Sequence, residues 1–134
     1  MCGFFVFHCE NGRPPENQIA NALAVMTNRG PDDAKIIYYR GSAFAFARLS
    51  IIDTSNASAQ PFLSDCERYI LCFNGEIYNY INLRKQLIKR GHILRSSGDA
   101  EVLLRAFIEW KEKVVEKLDG MFALVIYDLS LIHI

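Results

Sequence analysis

An excess of charge of either sign is missing from this sequence: 15 Lys and Arg stand against 15 Asp and Glu, for a formal net charge of +0. Without a basic surplus the chain offers little to a nucleic acid or an anionic bilayer, so neither is an expected partner and a small-molecule substrate is. Long apolar runs are missing too. No stretch approaches the roughly 20 residues of a membrane helix, and the apolar run from Gly3 to Phe7 is short for a signal peptide and lacks a basic leader. The expected address is the cytoplasm. Cysteine is sparse and irregular: Cys2, Cys9, Cys66 and Cys72 form no CxxC pair, and His8, His92 and His133 complete no ligand pattern with them. No metal site is therefore expected, and Cys9, Cys66 and Cys72 read as reduced structural thiols.

What is present is enough apolar material for one globular domain. Hydrophobic residues make up 51% of 134 positions, and a chain of this length buries roughly two-thirds of its surface on folding. Gly3 to His8 is short and apolar and stops at Asn11-Gly12 and Pro14-Pro15, which predicts a buried strand and a turn. From Glu16 to Arg29, Ile19, Ala22, Leu23 and Met26 recur at helical spacing, and Gly30-Pro31 ends the pattern. Lys35 to Arg40 and Ser42 to Ala47 flank Gly41 as a hairpin. Thr54 to Ser64, polar and small apart from Gln60-Pro61-Phe62, reads as a long surface loop, and Glu67 to Phe73 as a further β-rich run. Ile81 to Arg90 predicts a helix with Ile81, Leu87 and Ile88 inward, a second helix follows Ser97-Gly98-Asp99, and Met121 to Asp128 has the length and composition of a last strand.

Several residues admit two readings. Cys2 fits an ordinary buried thiol at the start of a strand. If Met1 is removed, however, it becomes a terminal cysteine whose thiolate can attack an acyl carbon, while its α-amine, with a reference pKa of roughly 7.7–8.0, moves the proton. Arg29-Gly30-Pro31-Asp32-Asp33 reads as a helix stop and turn. Arg48 is a snorkelling surface arginine or a guanidinium placed to grip a carboxylate with two parallel hydrogen bonds. By rule Asn74-Gly75 makes a type I′ hairpin turn, and the alternative is that the Asn74 amide and the Gly75 N–H give two neutral donors for a developing oxyanion. Asp99 is a good helix N-cap and also a carboxylate able to pair with an ammonium, roles that do not exclude each other.

Met1-Cys2-Gly3, Arg29-Gly30-Pro31-Asp32, Arg48-Leu49-Ser50-Ile51, Gln60-Pro61, Asn74-Gly75-Glu76-Ile77-Tyr78-Asn79, Ser97-Gly98-Asp99-Ala100-Glu101 and Leu118-Asp119-Gly120-Met121-Phe122-Ala123 follow one another in the chain. Together they resemble the class II glutamine amidotransferase domain, in its asparagine synthetase branch, from Met1 to about Asp128. The resemblance implies an α+β fold of the N-terminal-nucleophile type, a four-layer αββα sandwich with two antiparallel sheets. It also implies hydrolysis of L-glutamine to glutamate and ammonia through a cysteinyl thioester. On matching positions Cys2 is the nucleophile, with Asn74 and the Gly75 N–H as the oxyanion hole. Arg48 takes the substrate carboxylate and Asp99 its ammonium, and Leu49, Ser50, Ile51, Ile52, Glu76 and Gly98 line the pocket. No cofactor is implied for this domain. ATP and magnesium belong to a synthetase domain expected as its partner in an intact protein, and a homodimer is left open, as is a non-catalytic glutamine-binding or regulatory module. The chain departs from the family pattern in Phe4-Phe5-Val6-Phe7, where the family usually has a glycine, in Ala47, where it usually has a polar residue, and in residues 129–134, which match none of it.

Overall fold

The computed structural model describes residues 2–50 and 59–132. Its strands are β1 (Gly3–His8), β2 (Asp33–Tyr39), β3 (Ser42–Arg48), β4 (Phe62–Leu63), β5 (Tyr69–Ile77) and β6 (Gly120–Asp128), and its α-helices are α1 (Glu16–Val25), α2 (Tyr80–Lys89) and α3 (Asp99–Trp110). The strands form two three-stranded sheets in the orders β1-β3-β2 and β4-β5-β6, and every named pairing is antiparallel.

Side-chain alternation explains why the sheets stack. Cys2, Phe4 and Val6 beside β3's Phe44 and Phe46 form one face of the first sheet, and Ile70, Cys72 and Tyr127 meet them from the second. Phe44 lies edge-on to Tyr127, with ring centroids 5.0 Å apart, and Phe4 stacks on Phe46. The opposite face of the first sheet presents Phe5, Ile36, Ala45 and Ala47 to Leu23 and Met26. On the far face of the second sheet, Tyr69, Leu71, Phe73 and Ile77 pack with Leu83, Leu87, Val102, Leu103 and Ala106. Four layers result, helix, sheet, sheet and helices, as expected. Each fully buried large side chain, Phe44, Leu71, Leu87 or Leu103, contributes about 1.5–3 kcal/mol.

Three local expectations are corrected. The first helix stops at Val25 rather than Arg29, because the amides of Met26, Thr27 and Arg29 bond three residues back, to Leu23, Ala24 and Met26. Within that helix the buried face is carried by Ile19 and Leu23, and Ala22 is exposed. In α2 the inward residues are Leu83 and Leu87, whereas Ile81 and Ile88 are 52% and 53% exposed. At 100° per residue both isoleucines lie roughly 140–160° around the helix from Leu83, on the opposite flank. The third concerns the loop before β5. Gln60 and Pro61 are buried, not on the surface.

The Gln60 carboxamide acts there as a short piece of strand. Its Oε1 accepts the Phe73 N–H at 2.7 Å and its Nε2 donates to the Phe73 carbonyl at 3.0 Å, beyond the point where β4 stops pairing with β5. Gln60→Leu keeps the volume but leaves a buried amide without its partner, and the carbonyl, with two lone pairs, suffers less. A loss of about 1–3 kcal/mol is expected, seen as a lower denaturant midpoint at constant slope. An unchanged midpoint would show that Phe73 does not depend on this side chain.

Candidate active site

The β1–β3 register brings Gly3 opposite Ala47, so Cys2 arrives where β3 ends at Arg48. The Cys2 sulfur is bracketed there by the backbone of one residue: it accepts the Leu49 N–H at 3.3 Å and its thiol donates to the Leu49 carbonyl at 3.4 Å. Arg48 itself is buried at 7% exposure, so it is not a snorkelling surface residue.

Arg29-Gly30-Pro31-Asp32 is more than a turn. Its members hold the main chain on either side of Arg48 and reach Cys2 as well. A Cβ on Gly30 would run into the Ala47 carbonyl and the Arg48 nitrogen, so only glycine permits this approach. Pro31 bridges Arg48, the Asp32 amide donates to the Arg48 carbonyl at 3.0 Å, and the Asp32 carboxylate accepts the Ser50 N–H at 2.7 Å. Arg29 donates from Nε to the Cys2 carbonyl at 3.3 Å. Ala47 points toward α1 rather than the space between the sheets, so this departure from the family pattern lies outside the site. Among the predicted lining residues, Ile51 and Ile52 lie outside the described residues.

The second half of the site comes from β5. Asn74 and Gly75 pair with Ala123 and Phe122 inside the β5–β6 ladder, which corrects the hairpin-turn reading. Gly75 has φ +150°, and a Cβ there would run into the Met121 carbonyl oxygen and the Phe122 Cα. The conformational freedom that suits Asn-Gly to turns is used here for close strand approach. Ile70 and Cys72 face the first sheet, so by alternation Asn74 faces it too, two residues along from Cys72. Asn74 is half-buried, and among the described residues its carboxamide takes no hydrogen-bond partner. Glu76 is exposed.

Asp99 joins this strand to α3. Gly98, not Asp99, is the N-cap of that helix, and Asp99 is its first residue, with a carboxylate that accepts the Ile77 N–H at 3.0 Å. Burial pushes the Asp99 carboxyl above its ordinary value and the charge of Glu76 adds to this, while the amides of Ile77, Asp99 and Ala100 pull the other way. Cys2, Arg48, Leu49 and Ser50 are thus gathered at the end of β3, and Asn74, Gly75, Glu76, Gly98 and Asp99 at the junction of β5 with α3.

Burial pushes the Cys72 thiol up to about 12, so it stays protonated. Cys9 donates to the Gly41 carbonyl at 3.4 Å, and the exposed Cys66 is lowered by its hydrogen bond with Ser64. Among the described residues no His, Cys, Asp and Glu group could hold a metal ion, and no helix is long and apolar enough to cross a membrane.

A family model described as "Glutamine amidotransferase domain" matches residues 1–133. The chain belongs to that family. Asparagine synthetase (glutamine-hydrolyzing) 1 of Bacillus subtilis strain 168 is 39% identical over 132 residues, covering 96% of this chain and 21% of that protein. A putative asparagine synthetase (glutamine-hydrolyzing) of Mycobacterium tuberculosis H37Rv is 36% identical, with 96% of this chain and 22% of the relative covered. Asparagine synthetase (glutamine-hydrolyzing) 3 of Arabidopsis thaliana is 34% identical, with the same coverage. This amidotransferase domain therefore spans about a fifth of the length of the curated relatives it matches. The solved glutamine phosphoribosylpyrophosphate amidotransferase from B. subtilis, in complex with ADP and GMP, superposes with TM-score 0.74 at 20% identity, over 96% of this chain and 35% of that one. At that identity the likeness speaks for the fold alone.

Proposed function

We propose that this amidotransferase domain hydrolyses L-glutamine with Cys2 as nucleophile, once Met1 has been removed. The observation that carries the reading is the Cys2 sulfur held between the N–H and the carbonyl of Leu49, the residue after the buried Arg48. A glutamine whose α-carboxylate is gripped by Arg48 and whose α-ammonium is paired with Asp99 extends its carboxamide toward Cys2, along a pocket lined by Leu49, Ser50, Glu76 and Gly98. Thiolate attack makes the S–C bond and places negative charge on the former carbonyl oxygen. The Asn74 Nδ2 and the Gly75 N–H stabilise that charge. Ammonia leaves with a proton carried by the α-amine of Cys2, and water then cleaves the thioester to glutamate, restoring the thiol.

In relatives about five times longer, named as glutamine-hydrolysing asparagine synthetases, we assign the ammonia to an ATP- and magnesium-dependent synthetase portion. This domain itself needs neither. The test is release of glutamate and ammonia in equal amounts from glutamine by the purified chain, after mass spectrometry has established that Met1 is gone. Calorimetric binding of glutamine without turnover would favour a regulatory module instead, and no binding at all would overturn both.

A further inference from the structure

The segment between α2 and α3 contains no helix or strand from Ile93 to Ser96, yet it delivers Gly98 and Asp99 to the site. What fixes it is a buried acid outside the proposed chemistry. Glu101 is 2% exposed. Its carboxylate accepts the Arg95 N–H at 2.9 and 3.0 Å, the Ser96 N–H at 2.6 Å and the Ser96 hydroxyl at 2.8 Å. Arg105 supplies a countercharge 3.8 Å away. From the other side, Arg84 of α2 donates to the Ser96 carbonyl at 2.6 Å. Amides and carbonyl are thus tied in opposite directions just two residues before Gly98.

A carboxylate buried this deeply is expensive unless each lone pair is used, and a capping acid at the third helical position ordinarily reaches only the N-cap amide. Glu101 occupies that third position but reaches further back, to Arg95 and Ser96. We infer that Glu101 is the positioning residue for recognition of the substrate's α-ammonium. By holding the Arg95–Ser96 backbone it sets where Gly98 turns into α3, and so where the Asp99 carboxylate stands beside Ile77 and Glu76. This rests on the proposed function, in which Asp99 pairs with that ammonium.

Glu101→Gln tests it, because the carboxamide keeps the shape but turns an N–H2 toward backbone donors. Two substrates are compared: glutamine and 4-carbamoylbutanoate, which has the same carboxamide and no α-amine. The variant is expected to raise KM for glutamine about tenfold to a hundredfold, the scale of a small misplacement in a binding group, with kcat and the KM for 4-carbamoylbutanoate held. Arg84→Met, which releases the Ser96 carbonyl from the other side, is expected to show the same selective loss and serves if Glu101→Gln does not fold. Equal weakening of both substrates, or no change in either, would overturn the inference and leave Glu101 a support of the fold. A wild-type chain that handles the two substrates alike would instead overturn the role of Asp99, and one that neither binds nor hydrolyses glutamine would overturn the proposed function.

Discussion

A chain that retains any residue ahead of Cys2 will hydrolyse glutamine about 10²–10⁴-fold more slowly than the processed form, the usual scale for losing a general base. Acylating the α-amine leaves the thiol in place and removes only its proton acceptor. No described histidine can replace it. His8 lies six residues along β1 from Cys2, roughly 20 Å of extended chain, where it bonds Ser42, and His92 is paired with Glu109. Cys2→Ala should cost far more, on the order of the millionfold seen when a nucleophile is removed from a hydrolase. Substitution is a cleaner probe than alkylation, since the exposed Cys66, with its lowered pKa, would also be labelled. Steady-state ammonia release from the processed, extended and Cys2→Ala chains gives the comparison. Full activity in the extended chain would end the terminal-amine mechanism.

The layers were legible because strand and helix periodicities are local. Gly3–His8 coincides with its sequence reading, and the Ser42–Arg48 strand with its hairpin partner differs from expectation only at the ends. The contents of the site were less legible, because they depend on pairings that no local rule contains. Cys2 meets Leu49 only because β1 pairs with β3 instead of its sequence neighbour β2. Asn74-Gly75 carries the turn signal in full, yet nine residues of β6 pair along β5 and absorb it into the strand. The four-residue spacing of Leu83 and Leu87 was available and would have given the inward face of α2.

Polar side chains that brace backbone were the least visible. Gln60 reaches 13 residues ahead to Phe73, and Asp32 reaches 18 ahead to Ser50. Neither distance has a sequence signature. Glu101 did have one, as an acid at the third position of a helix, but that pattern points to the N-cap and not to Arg95 and Ser96. The residues given roles in binding and chemistry came from the family resemblance, and those that hold them in place came from the fold.

Asn74→Ala is expected to lower kcat by roughly a hundredfold to a thousandfold, about 2.7–4 kcal/mol, while KM moves little. A donor aimed at the oxyanion strengthens its bond only as charge develops, so its loss falls on the transition state and not on ground-state binding. The setting of Asn74 separates this from a folding defect. Its side chain turns toward the first sheet, is half-buried and takes no hydrogen-bond partner among the described residues, so alanine breaks no bond among them. The denaturant midpoint should therefore stay near that of the wild type, in contrast to Gln60→Leu, which removes two bonds from the neighbouring Phe73. Asn74→Asp should be at least as slow as alanine, because a carboxylate near a developing oxyanion repels it. Michaelis parameters and unfolding curves for the two variants, measured together, decide the matter. A loss confined to KM would move Asn74 into substrate binding, and an unchanged kcat would leave the Gly75 N–H to stabilise the oxyanion without it.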